Sequence, residues 1–539
     1  MKKILFSIVL SIVTLVAQGA ELPKGYAKTD IGKKADQLTG QMGQDNPLSA
    51  FLSMISIAAS GKEGELWQYL SPGLRMYYPE KGAPDKKVSE EHKNAVLSQN
   101  VKELLVCGDS IAAVITTMDN RDGFAAHHYI RVRDKWYSTG STERKTLEEV
   151  YIAVSDVAGY HRNLIRRISA VMVPDPDPAA YVDHLKKHGS VPQKYILDKL
   201  STYPVVMYGE WHFRPLSWKL ISSVITDKKF PSTTGVVFME FGDAYQSLAD
   251  EFMDSPTFRE DLLLRMFRQQ QFTGWTDKGQ YDFMATLWRV NRELPRDKKI
   301  KLVMVDAQYH WEAIEGIEEI QEDRERNRKR SRNRNMAEHI EAYMRNAPDK
   351  RGGLFIVGTG HANKSAVKLR DGSFPEKGAG ALLADKMGAD KVFCISTHGP
   401  LISNLGRTED KIGYAFFDRV FRQNGDKPVA FDLKGNIFGA RLYDGMLESK
   451  YDTQAGTFQD NYDGYIFLGP LLTEEPAQHL DLYSDEFVEE IKRRARIMGI
   501  EDETWNDVKY KDLTGEKARE IARKWNEEGG ATRWEEYNK

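Results

Sequence analysis

Over the first third of the chain, apolar residues recur first at helical spacing and then in short, strand-like runs. Leu48, Phe51, Leu52, Ile55 and Ala58, followed by Leu66, Tyr69 and Leu70 after a Ser60-Gly61-Lys62 break, predict two packed helices between Asn46 and Leu70. Four short runs come next: Val101 to Val106, Ser110 to Thr117, Phe124 to Val132 and Lys135 to Ser138. They are rich in β-branched or aromatic residues and separated by turn residues, which predicts an antiparallel meander. Residues 143 to 200 are polar and helical in pattern. They are broken at Pro174-Asp175-Pro176-Asp177-Pro178, where proline withholds an N–H donor and restricts the residue before it.

Beyond residue 200 the pattern changes. Tyr203 to Tyr208, Gly235 to Glu240, Ile300 to Asp306, Gly353 to Thr359 and Lys391 to Thr397 are mostly apolar runs followed by polar residues. Helical stretches lie between them: Pro215 to Thr226, Ala244 to Met253, Gln280 to Glu293, Ala313 to Met344 and Ala379 to Met387. Such alternation predicts an α/β domain, a mostly parallel sheet flanked by helices. Pro428 to Leu433 and Asp463 to Leu468 add candidate strands, and the tail is charged and helical with Trp505, Trp525 and Trp534. No fixed-period repeat is visible.

At 539 residues the chain exceeds what one core usually supports, so two or three domains are expected. The predicted layout is a leader over 1–19, a small α+β domain over 25–145, a helical, Pro-rich linker over 146–200, the α/β domain over 201–475, and a charged helical extension over 476–539. Hydrophobic residues at 41%, charged residues at 29% and a net charge of -3 leave no global attraction to nucleic acid. Met1-Lys2-Lys3, an apolar run to Val16 and Ala17-Gln18-Gly19-Ala20 form the pattern of a cleavable secretory leader. The expectation is an exported protein, periplasmic or secreted, with no stable membrane anchor. The two cysteines, Cys107 and Cys394, lie far apart, and their pairing is left open.

In open α/β sheets ligands bind beyond the carboxyl ends of strands, so the polar residues there are the candidates for chemistry. Those ends supply Glu210 and His212, Glu240, Asp306, His361 and His398. Two chemistries fit. In one, His212, Glu240 and His361 hold zinc or manganese with Glu210 as general base. In the other, a histidine takes a proton from water, Glu210 and Glu240 orient it, and an arginine stabilises the oxyanion. Both predict hydrolysis of a small-molecule or peptide substrate. The arginine comes from the run Arg324 to Arg334, either solvated along one helix or with one member turned into the site. Acidic residues interleave at its start and no aromatic platform accompanies it, which argues against nucleic acid. His127 and His128 are adjacent and face opposite sides of a strand, so they take structural roles.

Gly209-Glu210-Trp211-His212, Met239-Glu240, Arg332-Asn333-Arg334-Asn335-Met336-Ala337 and Gly358-Thr359-Gly360-His361 together resemble the superfamily that joins the erythromycin esterases, the ChaN haem-binding lipoproteins and the Tiki/TraB proteins. The resemblance covers roughly residues 200 to 400. It implies an EreA/ChaN-like fold, with Glu210, His212, Glu240 and His361 as the site and Arg332 as a supporting charge. The chain departs from the esterases in having one residue, Trp211, between Glu210 and His212, and in carrying Asn333 after the arginine. Esterase-like and Tiki-like members imply an esterase or metallopeptidase. ChaN-like members imply haem binding and uptake instead, with a histidine or Tyr208, Tyr245 or Tyr309 as axial ligand. The N-terminal helices and meander, ending in Lys135-Trp136-Tyr137, resemble small NTF2-like domains.

Overall fold

A computed structural model describes residues 21–38, 42–71, 74, 84–118, 121–132, 134–171, 176–346, 351–364, 366–369, 375–399, 414–441, 443, 451–453, 457–470 and 474–528. The expected leader, Pro174, Asp175 and Trp534 lie outside them. The chain divides into two compact units, Met1–Ser169 and Ala170–Lys539.

The first unit is built on an antiparallel sheet with strands in chain order: β1 (Tyr26–Lys34), β2 (Asn100–Cys107), β3 (Ile111–Met118), β4 (Arg121–Val132) and β5 (Lys135–Arg144). The meander is therefore five strands wide, not four. Strand β1 is nearly all polar and only Tyr26 is buried, so it carries no hydrophobic alternation; it is an edge strand, where charged side chains face water. One sheet face packs Val101, Ala112 and Val114 against Phe51, Leu52 and Ile55 of the helix Pro47–Ser60. That helix starts at Asn46, whose side chain accepts the Ser49 N–H, and stops at Gly61 with φ 74°. The opposite face packs Leu105, Ala113 and Ile115 against Val150, Tyr151 and Val154 of the helix that begins at Leu147. His127 and His128 point to opposite faces: His127 meets Phe51 and Thr116, and His128 meets Thr142 and His161.

The second unit holds the α/β sheet. Its strands are β6 (Val205–Glu210), β7 (Thr234–Gly242), β8 (Lys301–Asp306), β9 (Gly352–Gly358), β12 (Val392–Thr397), β13 (Val429–Asp432) and β15 (Gly464–Phe467). A small antiparallel sheet of β10 (Ala366–Leu369), β11 (Pro375–Lys377) and β14 (Tyr451–Thr453) stands apart from it. The main sheet has the order β13-β15-β12-β6-β9-β7-β8, parallel throughout except for β13 against β15. Every residue of β6, β9 and β12 is buried, as expected for central parallel strands covered on both faces. One cover joins Val206, Tyr208 and Val237 to Trp218, Phe267 and Met284, and also to Tyr483, Phe487 and Ile491 from the charged C-terminal segment. The other joins Val205, Met207 and Phe355 to Met336, Ile340 and Phe417. Burying each such side chain contributes about 1.5–3 kcal/mol, which makes the sheet a rigid platform.

The segment 146–200 is shared out: the helix from Leu147 packs in the first unit, and Tyr181, Val182, Leu185, Tyr195 and Ile196 pack in the second. No described helix is long and apolar enough to cross a membrane. From β6 the chain steps to β7 and β8 and returns to insert β9 between β6 and β7. It then crosses to β12 on the other side of β6. Such reversals open a crevice beyond the strand ends.

Candidate functional site

The two histidine motifs are neighbours because β6 and β9 are. Glu210 pairs in register with Gly358, and the Thr359 N–H donates to the Glu210 carbonyl at 2.8 Å. Glycine is needed at 209, and at 358 any side chain would be crowded. A side chain at 209 would begin 2.7 Å from the Ile395 carbonyl oxygen. One at 358 would begin 3.1 Å from His212 Cε1 and 3.4 Å from Glu240 Oε2, so the bare backbone there lets His212 and Glu240 approach the same point.

Glu210 and His212 form one half of the site. His212 Nδ1 donates to Glu210 Oε1 at 2.5 Å, and the ring meets Trp275 edge to face at 5.0 Å between centroids. The Glu210 charge, opposed by burial, pushes the imidazole up to about 9, so the ring is an imidazolium at neutral pH. Glu210 is only 4% exposed, and its second oxygen, Oε2, has no hydrogen-bond partner.

Glu240, Arg332 and His361 form the other half. Glu240 Oε1 accepts from Arg332 Nη2 at 2.6 Å and faces His361 Nε2 at 3.3 Å, while Oε2 accepts the Gly358 N–H at 2.8 Å. Burial alone would raise this carboxyl, but the hydrogen bond and charge of His361, with Arg332 and His212 behind them, hold it well below the usual carboxylate range. Arg332 also grips the fully buried Asp306, with Nε at 2.9 Å from Oδ1 and Nη2 at 2.7 Å from Oδ2. His361 Nδ1 meets Asn333 Oδ1 at 2.6 Å. All five residues expected at the site are thus brought together.

The expected long helix over 313–344 is in fact two, Ile317–Arg330 and Arg332–Asn346, broken at Ser331 with φ 50°. The break is what turns Arg332 inward. Arg332 to Asp306 and Glu240, and Asn335 to Asp243 and the Val305 carbonyl, anchor the second helix across the sheet end. Arg332 therefore does not share a continuous face with Arg324; the side chains of 326–330 lie outside the described residues.

Glu210, His212, Glu240 and Arg332 border a cavity of about 390 Å³, lined further by Phe213, Trp275, Gln271 and Gln308. Its size is that of a small-molecule site. Among the described residues, six other than glycine have positive φ. Asp426, Asn506 and Asp507 are of the types that tolerate it. Phe213 and Gln271 line the cavity, and Ser331 directly precedes Arg332. Among the described residues, left-handed backbone outside Gly, Asp and Asn therefore falls only at this site's edge.

The donor set does not fit the expected metal. His212 Nδ1 is engaged by Glu210, both His361 nitrogens by Asn333 and Glu240, and both Glu240 oxygens by Arg332, His361 and the Gly358 N–H. Among the described residues no three His, Cys, Asp or Glu side chains are arranged to hold a metal ion. As arranged here, His212, Glu240 and His361 do not form a ready ligand set for zinc or manganese.

The expected haem tyrosines are corrected as well. Tyr208 is buried with its hydroxyl on Ser217, Tyr245 is buried against Gln269, and the Tyr309 hydroxyl accepts from Arg324; none lines the cavity. His398 is fully buried between the Tyr465 hydroxyl and Asp418, away from the cavity lining. Cys394 is buried and free, and Cys107 is also free. Sequence reasoning had placed Asp306 at a strand end without a role, and it missed Trp275 and the partnership of Asn333 with His361.

No protein-family model matches the chain, and no curated protein matches it. Among solved structures, a Bacillus cereus protein from a structural genomics programme is similar at TM-score 0.38 and 12% identity, covering 54% of this chain and 97% of its own. A protein described as a succinoglycan biosynthesis protein is similar at TM-score 0.37 and 8% identity, covering 55% of this chain and 97% of its own. A mutant of erythromycin esterase EreC in its open conformation is similar at TM-score 0.36 and 13% identity, covering 51% of this chain and 92% of its own.

Proposed function

We propose that the protein is an exported hydrolase that cleaves an ester or amide bond in a small molecule or peptide, with Glu210 and His212 as its proton-handling pair. The observation that carries this reading is the open oxygen of Glu210. A buried carboxylate oxygen without a donor is costly, and here it belongs to a residue that lines the cavity beside an imidazolium. In the proposed reaction Glu210 Oε2 takes a proton from water as the water oxygen bonds to the substrate carbonyl carbon. The negative charge on the carbonyl oxygen is met by the His212 Nε2–H. Collapse breaks the bond to the leaving oxygen or nitrogen, which takes the proton from Glu210. An acid and an alcohol or amine leave. Glu240, Arg332, Asp306 and His361 keep the strand ends in place around that step.

Turnover of a broad panel of esters and peptides by the purified chain, beside Glu210→Gln and His212→Ala, tests the reading. Hydrolysis by the native chain that both substitutions lower by about 10² or more is expected. A Soret band on haem addition, lost in His212→Ala, with no hydrolysis of any panel member would replace it with the uptake reading.

A further inference from the structure

The residue after His212 sits in a conformation that a large side chain rarely adopts: Phe213 has φ 61°. Such a backbone persists only where its surroundings hold it. Here the holder is Asp277, 3% exposed and outside the group that touches Glu240 or His361. Its Oδ2 accepts the Phe213 N–H at 3.0 Å and the Trp218 indole N–H at 2.9 Å. Its Oδ1 accepts the Gly279 and Gln280 N–H groups at 2.9 and 3.3 Å, capping the helix Lys278–Glu293. One carboxylate thus joins the turn after β6, the helix Pro215–Ile225 that carries Trp218, and a second helix. The Trp218 indole lies so close over Gly279 that any side chain there would begin 2.5 Å from Cδ1. The Phe213 ring is held on its own side by Trp275 at 4.9 Å and by His479 at 5.1 Å.

We propose that Asp277 is a positioning residue for His212, fixing the strained turn at Phe213 so that the imidazole faces Glu210 and the cavity. The role rests on the hydrolase reading for its consequence, but not for its geometry. A helix cap needs one acceptor oxygen, and serine supplies it as well as aspartate does. Asp277 uses its second oxygen on Phe213 and Trp218, which capping does not require.

Asp277→Ser separates the two roles, because it keeps the cap but is too short to reach Phe213. The full chain with 15N-labelled histidine is compared with this variant at a temperature where both are folded. The His212 ring resonances are identified by their loss in His212→Ala, and His398, held by Tyr465 and Asp418, serves as the internal standard. The expected result is displaced His212 ring shifts with His398 unmoved. Where a panel substrate is hydrolysed, kcat also falls on the order of a hundredfold while KM is little changed, since misplacement of a reacting group costs that much. Unmoved His212 shifts overturn the proposal, and so does a fall in turnover that Asp277→Ser shares with equal displacement of His398. Should Asp277→Ser fail to fold, the isosteric Asp277→Asn makes the same test. Its single carbonyl oxygen serves the cap or the Phe213 turn, not both. Displaced His212 shifts in a chain that hydrolyses nothing overturn the hydrolase reading alone.

Discussion

Glu210 and Glu240 occupy the ends of two strands with only β9 between them, yet their surroundings differ in kind. Glu240 has each oxygen occupied, by Arg332 and His361 on one side and the Gly358 N–H on the other, and Arg332 is itself fastened to Asp306. Glu210 gives one oxygen to His212 and leaves the other open. A carboxylate with a donor on each oxygen can build a site but has little left to offer a substrate. A carboxylate left half-answered carries a standing cost that a reacting molecule removes. On the proposed reading, the same edge of one sheet holds a scaffold and a reactive group.

The largest expected effect breaks that contrast on the reactive side. Glu210→Gln keeps the shape but removes the proton acceptor, and turnover falls by about 10² to 10⁴, the usual contribution of a positioned base. The scaffold side responds in stability instead. Arg332→Met leaves the buried Asp306 and Glu240 without their cation and costs about 3 kcal/mol in urea unfolding. If the two substitutions exchange these outcomes, the division of labour is wrong.

Smaller effects sharpen the comparison. Gln271→Gly removes a left-handed side chain at the cavity edge; relief of about 1–2 kcal/mol, less the entropic cost of glycine, leaves a gain of up to about 1 kcal/mol in thermal unfolding.

A further effect lies in the pH dependence of stability, where the two halves act in opposite directions. His212 is raised to about 9 by Glu210, so its contribution is fully present below its ordinary 6.5 and fades as pH climbs through about 9. Glu240 is held below the carboxylate range, so its contribution is present above its ordinary 4.5 and fades in acid. Melting temperatures measured against pH should fall at both ends, and His212→Ala should flatten the alkaline fall alone.

Much of this arrangement was legible before the fold was known, for identifiable reasons. All seven strands of the main sheet announced themselves as compact apolar runs, because a parallel sheet covered on both faces demands them. Their polar ends marked Glu210, Glu240 and His361. The strand order was not legible, since inserting β9 between β6 and β7 depends on pairing across more than a hundred residues. Strand β1 was invisible because its side chains face water. The break at Ser331 was invisible because no glycine or proline marks it; tertiary contacts of Arg332 and Asn335 impose it. Asp277 drew no notice in the sequence, because the partners of its second oxygen meet it only in three dimensions.

The central claim is that the open oxygen of Glu210 and the imidazolium of His212 act as one unit, and the pH dependence of kcat/KM for any substrate found in the panel tests it most directly. The predicted profile falls as pH rises through about 9, where His212 loses its proton, and that descending limb is missing from the residual activity of His212→Ala. A profile that stays flat through that range, or a limb that survives His212→Ala, would contradict the account.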